Sequence, residues 1–163
     1  MARARGGENM LLIAPTGAGK TLGGFLASLT DLTLQQKSRK LPGEAFRGVH
    51  TLYISPLKAL AVDIERNLMK PVSEMGLPIT VEARTGDTPQ GKRQRQKLNP
   101  PDILLTTPEQ VALLLANREA ERFFKDLKFV VLDALHSLVT SNLGHLLSLG
   151  LARLRKHAPG MRT

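Results

Sequence analysis

Two short stretches of the sequence carry side chains that suit phosphate chemistry. The first runs from Ala14 to Thr21 and reads APTGAGKT, with small residues ahead of Lys20 and a hydroxyl directly after it. Small residues let successive backbone N–H groups surround a phosphate, while a lysine reaches the terminal phosphates and a threonine hydroxyl binds magnesium. The pattern predicts a phosphate-binding loop made by Thr16, Gly17, Ala18, Gly19, Lys20 and Thr21.

This loop departs from the usual pattern at its first position. Ala14 stands where the pattern begins with glycine. Alanine fits wherever the backbone does not need a positive φ angle. The alternative interpretation of the stretch is an ordinary glycine-containing turn between a strand and a helix.

The second stretch is VVLDALHSL, at 130–138, where an apolar run ends in Asp133. A phosphate-loop enzyme needs a carboxylate at the end of another parallel strand, near the magnesium. Asp133 and Thr21 are therefore the predicted Mg²⁺ ligands, and Lys20 and Asp133 the predicted catalytic residues. The alternative for Asp133 is a helix N-cap after a buried strand.

The elements that must position these residues follow from the distribution of apolar side chains. Short runs rich in branched apolar residues occur at 10–14, 49–54, 79–83, 102–106 and 129–133. Segments with helical spacing lie between them, at 20–36, 57–75 and 108–116, and a last one lies near 146–158. Strands that alternate with helices indicate a parallel sheet. The predicted class is doubly wound α/β, in one domain over residues 1–163.

Composition and charge narrow the classes of partner. With 42% hydrophobic and 23% charged residues the chain is typical of globular proteins, and the lack of cysteine argues against disulfides, so we expect a cytoplasmic protein. No apolar run approaches a membrane span. The formal net charge of +9 favours polyanions such as DNA or RNA, and five Phe, one Tyr and no Trp disfavour binding by base stacking.

Five motifs in order resemble the first RecA-like lobe of the superfamily 2 DExH-box helicases. They are APTGAGKT, SPLKAL at 55–60, TGD at 85–87, TTPE at 106–109 and DALH at 133–136. Within that superfamily, TLYISPLKALAVDI, RTGDTP and PPDILLTTPEQ look like the large helicase-related (Lhr-type) DNA helicases, and the likeness runs from Met10 to Arg162. The resemblance implies a P-loop NTPase lobe with a mainly parallel sheet, helices on both faces, and ATP with Mg²⁺ as cofactors.

The resemblance also implies a nucleic-acid surface, with DNA favoured over RNA. Lys58 is its evident cation, and His136 would couple it to the nucleotide site. The implied contact residues, which position the strand without reading its sequence, are Ser55, Pro56, Lys58, Thr85, Gly86, Thr106, Thr107 and Pro108.

Structural alternatives exist for several of these residues. Ser55 can cap a helix that has Pro56 in its first turn, and Thr106 or Thr107 can be a plain N-cap. A basic cluster in GKRQRQK, at 91–97, is expected to be a solvated helix face rather than a nucleic-acid contact.

Ala134 departs from the family at the residue that matters most for hydrolysis. DExH proteins have a glutamate there, which orients and activates the attacking water. A positioned general base contributes roughly 10²- to 10⁴-fold, so we expect hydrolysis to be impaired by about that factor while nucleotide binding persists. The alternative is a harmless variant in which another carboxylate takes over.

A second RecA-like lobe with an arginine finger follows the first in the family, after a Ser-Ala-Thr strand that would begin just past Arg162. Loss of such an arginine costs roughly 10³- to 10⁵-fold in related systems. The missing strand would leave a gap in mid-sheet between the strands at 10–14 and 129–133, with two unpaired edges. We therefore expect a chain truncated before that strand, a fragment or decayed product of a longer helicase.

The leading hypothesis is the ATP-binding and DNA-binding lobe of an Lhr-type helicase with disabled hydrolysis. The alternative is a non-catalytic module that binds nucleotide or nucleic acid as a scaffold or regulator. A small-molecule kinase is disfavoured because no arginine-bearing lid is evident, and a GTPase because no Asn-Lys-x-Asp motif occurs.

Overall fold

The computed structural model describes Asn9 and residues 20–37, 47–133 and 142–163. Four of the five predicted strands fall within these ranges and are confirmed, each within two residues of its expected bounds. The predicted strand at 10–14 and most of the expected loop between 37 and 48 lie outside the described residues.

Six helices and four strands occupy the described part of the chain. They are α1 (Lys20–Lys37), β1 (Thr51–Ile54), α2 (Lys58–Glu74), β2 (Val81–Arg84), α3 (Gln90–Leu98), β3 (Ile103–Thr106), α4 (Pro108–Leu115), α5 (Ala120–Phe124), β4 (Phe129–Leu132) and α6 (Asn142–His157). The short helix α5 was not predicted, because five residues carry too little periodicity. None of the helices within the described ranges is long and apolar enough to cross a membrane.

The four strands form one parallel sheet in the order β2-β3-β1-β4. Thr51 lies level with Ile103 on one side and Phe129 on the other, and Ile54 lies level with Thr106 and Leu132. The predicted parallel α/β sheet is therefore confirmed. Since β1 is central, its two neighbours end at the same level as it does.

Both faces of the sheet are covered, which explains why β3 and β4 are almost continuously apolar. Alternate residues enter opposite cores, because successive side chains of a strand point to opposite faces. Leu52 and Ile54 pack under α4, α5 and α6. Tyr53 packs under α1 and α2, whose buried residues include Phe25 and Ile64.

Helix α1 runs antiparallel to the strands. Near its start, a Cβ atom on Gly24 would lie 3.5 Å from Val131 Cγ1, close to the end of β4. Near its other end, Asp31 lies 2.7 Å from His50 Nε2 and 3.2 Å from Lys128 Nζ, just before β1 and β4 begin. The first residues of α1 therefore lie at the edge of the sheet where the strands end.

A buried polar network fixes the far end of α1. A carboxylate only accepts hydrogen bonds, so His50 Nε2–H donates to Asp31 and His50 Nδ1 accepts from the Thr51 hydroxyl, 2.8 Å away. The Ser28 hydroxyl is hydrogen-bonded to the same threonine. With the ring neutral, these hydrogen bonds tie the helix to the sheet through one histidine.

The side of β4 that faces away from β1 is partly paired. Arg162 forms a one-residue parallel bridge with Phe129, in which Val130 N–H donates to the Arg162 carbonyl at 2.7 Å and Arg162 N–H donates to that of Lys128 at 2.8 Å. The expectation of a wholly unpaired edge is therefore wrong at the start of β4. The cause is the turn at 158–160, which brings the chain from α6 back beside the sheet.

Stability should fall as His50 becomes protonated. Burial lowers the pKa of His50, against the hydrogen bond that its ring donates to Asp31, which raises this pKa. The unfolded chain then takes up the proton more readily than the folded chain, so this stability is fully present above about pH 6.5 and declines as the pH falls through and below it. We expect urea unfolding to give a smaller free energy near pH 5.5 than near pH 7.5.

His145, exposed on α6, supplies the matched control. His50→Gln should flatten the pH dependence of the unfolding free energy, and His145→Gln should leave it unchanged. Burial tends to raise the pKa of Asp31, but hydrogen bonds from His50 and Lys128 lower it below 3.8. Asp31 itself therefore contributes to the pH dependence of the unfolding free energy only at more acidic pH. Equal slopes in the two histidine variants would contradict this assignment.

Candidate functional site

The residues that follow the four strands lie at one edge of the sheet. Ser55 follows β1, Thr85 follows β2, Thr107 follows β3 and Asp133 follows β4. The ladder extends one step beyond the strands, since Ser55 N–H donates to the Thr106 carbonyl and Asp133 N–H to the Ile54 carbonyl, each at 3.0 Å. Ligand sites of open parallel sheets lie at this carboxyl edge.

The start of α1 lies at the same edge as Asp133. Lys20 precedes Gly24 by four residues, about 6 Å along a helix, and Asp133 follows Val131 by two residues, about 7 Å along a strand. Because α1 is antiparallel to β4 and Gly24 packs on Val131, both displacements run toward the carboxyl edge. The backbone of Lys20 and the residue Asp133 thus lie at the same edge of the sheet.

Asp133 is held by a side chain from the neighbouring strand. The hydroxyl of Tyr53 donates a hydrogen bond to Asp133 Oδ2 at 2.5 Å. Tyr53 is only 2% exposed, and its ring stacks on Phe25 of α1 with 5.5 Å between ring centroids. Burial and the Asp133 carboxylate raise the pKa of Tyr53 far above its usual value. The hydroxyl therefore stays protonated and acts as a donor.

Two of the predicted nucleic-acid motifs touch each other. Lys58, the first residue of α2, places Nζ 3.3 Å from both carboxylate oxygens of Asp87. A Cβ atom on Gly86 would lie 3.3 Å from the same Nζ. The side chains of Lys58 and Asp87 are 56% and 78% exposed, so the pair faces solvent. The SPLKAL and TGD motifs thus form one surface.

Arg93 braces the TGD turn from α3. It donates hydrogen bonds to the carbonyl oxygens of Thr88 at 2.7 Å, Thr85 at 3.2 Å and Gly86. The expected solvated face is correct for Arg95, which is half exposed and pairs with Glu82. It is wrong for Arg93, because the turn folds back over the first turn of α3. Sequence alone gives no signal that separates these two arginines.

The predicted hydroxyl residues occupy different environments. Thr106 is fully buried and donates its hydroxyl to the Arg84 carbonyl at 2.8 Å, which ties β3 to β2. Thr107 is the N-cap residue of α4 by position, followed by the buried Pro108, but its side chain makes no capping hydrogen bond. Ser55 is not the cap of α2. That helix begins at Lys58, and Ser55 Oγ instead accepts from Leu57 N–H at 3.3 Å.

Several predicted residues lie outside the described part of the chain, namely Thr16, Gly17, Ala18, Gly19, Ala134 and His136. Of Lys20 and Thr21 the structure describes the backbone, as the first two residues of α1. Within the ranges that are described, no group of three or more His, Asp or Glu side chains can hold a metal ion.

The fold and its carboxyl edge define the class of protein. An all-parallel sheet covered on both faces, with an acid after one strand and hydroxyl motifs after the others, is that of a RecA-like lobe. The sequence matches the DEAD/DEAH box helicase family over residues 1–162. The chain belongs to that family.

Individual relatives place the resemblance among the Lhr-type helicases of this family. The Lhr helicase/probable uracil glycosylase of Mycolicibacterium smegmatis is 42% identical over 158 residues, which cover 91% of this chain and 10% of that protein. The ATP-dependent helicase Lhr-Core of Methanocaldococcus jannaschii is 39% identical over 166 residues, 96% of this chain and 19% of that protein. The chain thus spans a small part of the length of these relatives.

A solved structure confirms the predicted fold. Mycobacterium smegmatis helicase Lhr bound to ssDNA and AMP-PNP matches with a TM-score of 0.82 and 39% identity, over 99% of this chain and 21% of that one. The prediction of an Lhr-type, superfamily 2 first RecA-like lobe is therefore confirmed.

Proposed function

We propose that the chain is the ATP-binding and DNA-binding lobe of an ATP-dependent superfamily 2 helicase, with impaired hydrolysis. The observation that carries the proposal is the single edge shared by the start of α1 and Asp133. The relatives support it, because one is named an ATP-dependent helicase and another was solved with ssDNA and AMP-PNP. From the lack of cysteine we expect the chain to act in the cytoplasm.

The residues at this edge fit a magnesium nucleotide. A helix N-terminus such as that of α1 favours phosphate, and Asp133 offers a carboxylate whose Oδ2 accepts a hydrogen bond from Tyr53. In the proposal Thr16 to Thr21 surround the phosphates, and Thr21 and Asp133 hold Mg²⁺. When bound, the ion neutralises phosphate charge. Lys20 binds the terminal phosphates and Asp133 orients the metal.

Hydrolysis needs two further groups. Ala134 has no carboxylate with which to orient a water, which is worth about 10²- to 10⁴-fold. An arginine from a second RecA-like lobe, the partner that the family uses, is worth about 10³- to 10⁵-fold in related systems. We expect this chain to bind nucleotide far better than it hydrolyses it.

Lys58, Thr85 and Gly86 form the centre of the proposed DNA surface, with Ser55, Pro56, Thr107 and Pro108 beside them. Lys58 supplies a charge for one phosphate, and Gly86 lets a strand approach the backbone closely. Arg93 keeps the turn in shape through its three carbonyl contacts. The side chains of Ser55, Thr85, Thr106, Thr107 and Pro108 are buried, so we assign these side chains to positioning the surface. Contacts to the phosphate backbone do not read the base sequence. The ssDNA in the relative's structure favours DNA over RNA as the ligand.

Asp87 competes for the same lysine. Its carboxylate lies against Lys58 Nζ as a phosphate would. Binding of a strand must displace this exposed ion pair, and exposed pairs are weak. Asp87 therefore lowers affinity for the backbone without blocking it.

A non-catalytic nucleotide- and nucleic-acid-binding scaffold or regulator is the second candidate, and Ala134 is the observation that favours it. The scaffold candidate predicts the same binding of nucleotide and DNA as the helicase proposal, but no ATPase activity that a restored glutamate could recover.

Lys20→Ala tests the nucleotide site. Titration with a fluorescent ATP analogue in Mg²⁺ should show affinity reduced roughly 10- to 150-fold, as expected for about 1.5–3 kcal/mol from charged hydrogen bonds. Lys70→Ala, which removes an exposed lysine of α2, should match the wild type. Equal affinity in wild type and Lys20→Ala would refute the proposed site.

Lys58→Ala and Asp87→Asn test the DNA surface. Fluorescence anisotropy with labelled single-stranded DNA should show weaker binding for Lys58→Ala, with a salt slope lower by about 0.7, because one phosphate contact is lost. Asp87→Asn should bind roughly two- to fivefold more tightly. Lys92→Ala, whose amino group lies 3.6 Å from Glu65, is the control and should change little. An unchanged salt slope in Lys58→Ala would remove Lys58 from the surface.

Ala134→Glu separates the two candidate functions. In a protein that also carries a second lobe, the helicase proposal predicts that DNA-stimulated ATPase rises by about 10²- to 10⁴-fold. Nucleotide affinity should stay the same. A protein that binds ATP and DNA but remains inert after this change would support the scaffold instead.

A further inference from the structure

We propose that Tyr53 is a positioning residue for the metal-binding carboxylate, which it holds through the hydrogen bond from its hydroxyl to Asp133 Oδ2. This inference rests on the proposed magnesium nucleotide site and extends it by one residue. Nothing in the five sequence motifs includes Tyr53. It precedes the SPLKAL motif by two positions, on the strand next to the one that ends in Asp133.

The register of the sheet makes the contact possible. Tyr53 lies level with Val131, so Asp133 is two residues farther along β4. Side chains two residues apart on a strand point to the same face, so Tyr53 and Asp133 share one face of the sheet. The long phenol side chain of Tyr53 spans the two-residue offset between them. The hydroxyl group of Tyr53 thereby reaches Asp133 Oδ2.

The ring has no freedom to leave this position. Tyr53 is 2% exposed and lies in the core beneath α1 and α2. Phe25 of α1 stacks on it at 5.5 Å with 28° between the ring planes. Phe25 is five residues after Lys20, so the same helix that begins at the phosphate loop also clamps the ring. A phenol fixed in this way holds its donor in one place.

A donor on a metal-binding carboxylate has a recognised effect. Hydrogen bonds to ligating carboxylates orient them, and their loss typically costs about 10- to 100-fold in metal affinity or activity. The hydrogen bond from Tyr53 uses one of the roughly four lone-pair sites of the Asp133 carboxylate. Tyr53 would therefore act through Asp133 and never touch the nucleotide.

Tyr53→Phe is the direct test, because it removes the hydroxyl and keeps the ring against Phe25. Mn²⁺, the paramagnetic substitute for Mg²⁺, is titrated by EPR into the chain saturated with ADP. We expect the Mn²⁺ dissociation constant to rise about 10- to 100-fold, while ADP affinity in EDTA stays within about twofold.

Thr51→Val is the matched control. It removes a buried hydroxyl from the same strand at the opposite end, where Thr51 contacts His50 and Ser28. It should lower stability without changing Mn²⁺ affinity. Wild-type Mn²⁺ affinity in Tyr53→Phe, or an equal loss in Thr51→Val, would overturn the role of Tyr53.

A spectroscopic measurement on the unaltered chain covers the case in which a variant fails to fold. Tyr53 is the only tyrosine, so a chain labelled with ¹³Cζ-tyrosine gives one ring-carbon resonance. This resonance should shift when Mg²⁺–ADP binds, and less with ADP in EDTA. An identical resonance in both states would overturn the inference. Failure of the ADP-bound chain to take up Mn²⁺ more tightly than free ADP does would remove the proposed nucleotide site as well.

Discussion

Parallel pairing of β1 with both of its neighbours is the constraint on which the rest of the structure depends. It sets Ile54, Thr106 and Leu132 at one level, so every residue that follows a strand is delivered to the same edge. Side chains alternate with a period of two, and a slip of one residue would turn Tyr53 out of its core and away from Asp133. The burial of both faces makes such a slip costly. The chemistry of the edge is therefore a consequence of how the apolar residues pack.

Helix α1 extends this order to the proposed phosphate loop. One end is fixed by the buried chain of hydrogen bonds from Asp31 through His50 to Thr51. Toward the other end, Phe25 packs on the ring of Tyr53. Both attachments are made to β1 or to the residue before it, so the central strand fixes the helix along its length. A helix held at two levels of one strand has a defined starting point, and phosphate binding by backbone N–H groups requires that precision.

The proposed nucleic-acid surface is built differently, from turns rather than from the core. Lys58 and Asp87 are exposed, and the shape of the TGD turn depends on the carbonyl contacts of Arg93. The turn is held by hydrogen bonds between Thr85 and Thr88 as well as by Arg93, and its outer residues are exposed, whereas the carboxylate of Asp133 is held by a buried tyrosine. This difference suits the two proposed ligands, because a nucleotide presents fixed geometry and a sliding strand does not.

Most of the fold could be predicted from the sequence because it follows from local patterns. Short runs rich in branched apolar residues marked the four described strands, and glycines before a lysine marked the start of α1. What sequence could not give was contact between distant residues. Arg93 looked like any other member of a basic helix face, and its role depends on a turn that folds back over α3. The pairing of Arg162 with β4 likewise depends on where a turn places the chain.

Tyr53 was the one missed residue that carried a signal. A single phenol in an otherwise aliphatic buried strand needs a hydrogen-bond partner, and that requirement points to a polar group at the strand edge. The pattern does not say which group, because sequence spacing does not fix the strand order. Only the neighbouring position of β1 and β4 identifies Asp133.

The central claim is that the turn before α1 holds a triphosphate whose metal is shared with Asp133. The most direct measurement is anomalous diffraction from crystals of the chain grown with Mn²⁺ and AMP-PNP. The account predicts one manganese peak between the β- and γ-phosphates and Asp133, coordinated by the carboxylate directly or through a water, with the phosphates at the start of α1. A triphosphate bound elsewhere, or a manganese ion with no path to Asp133, would contradict it.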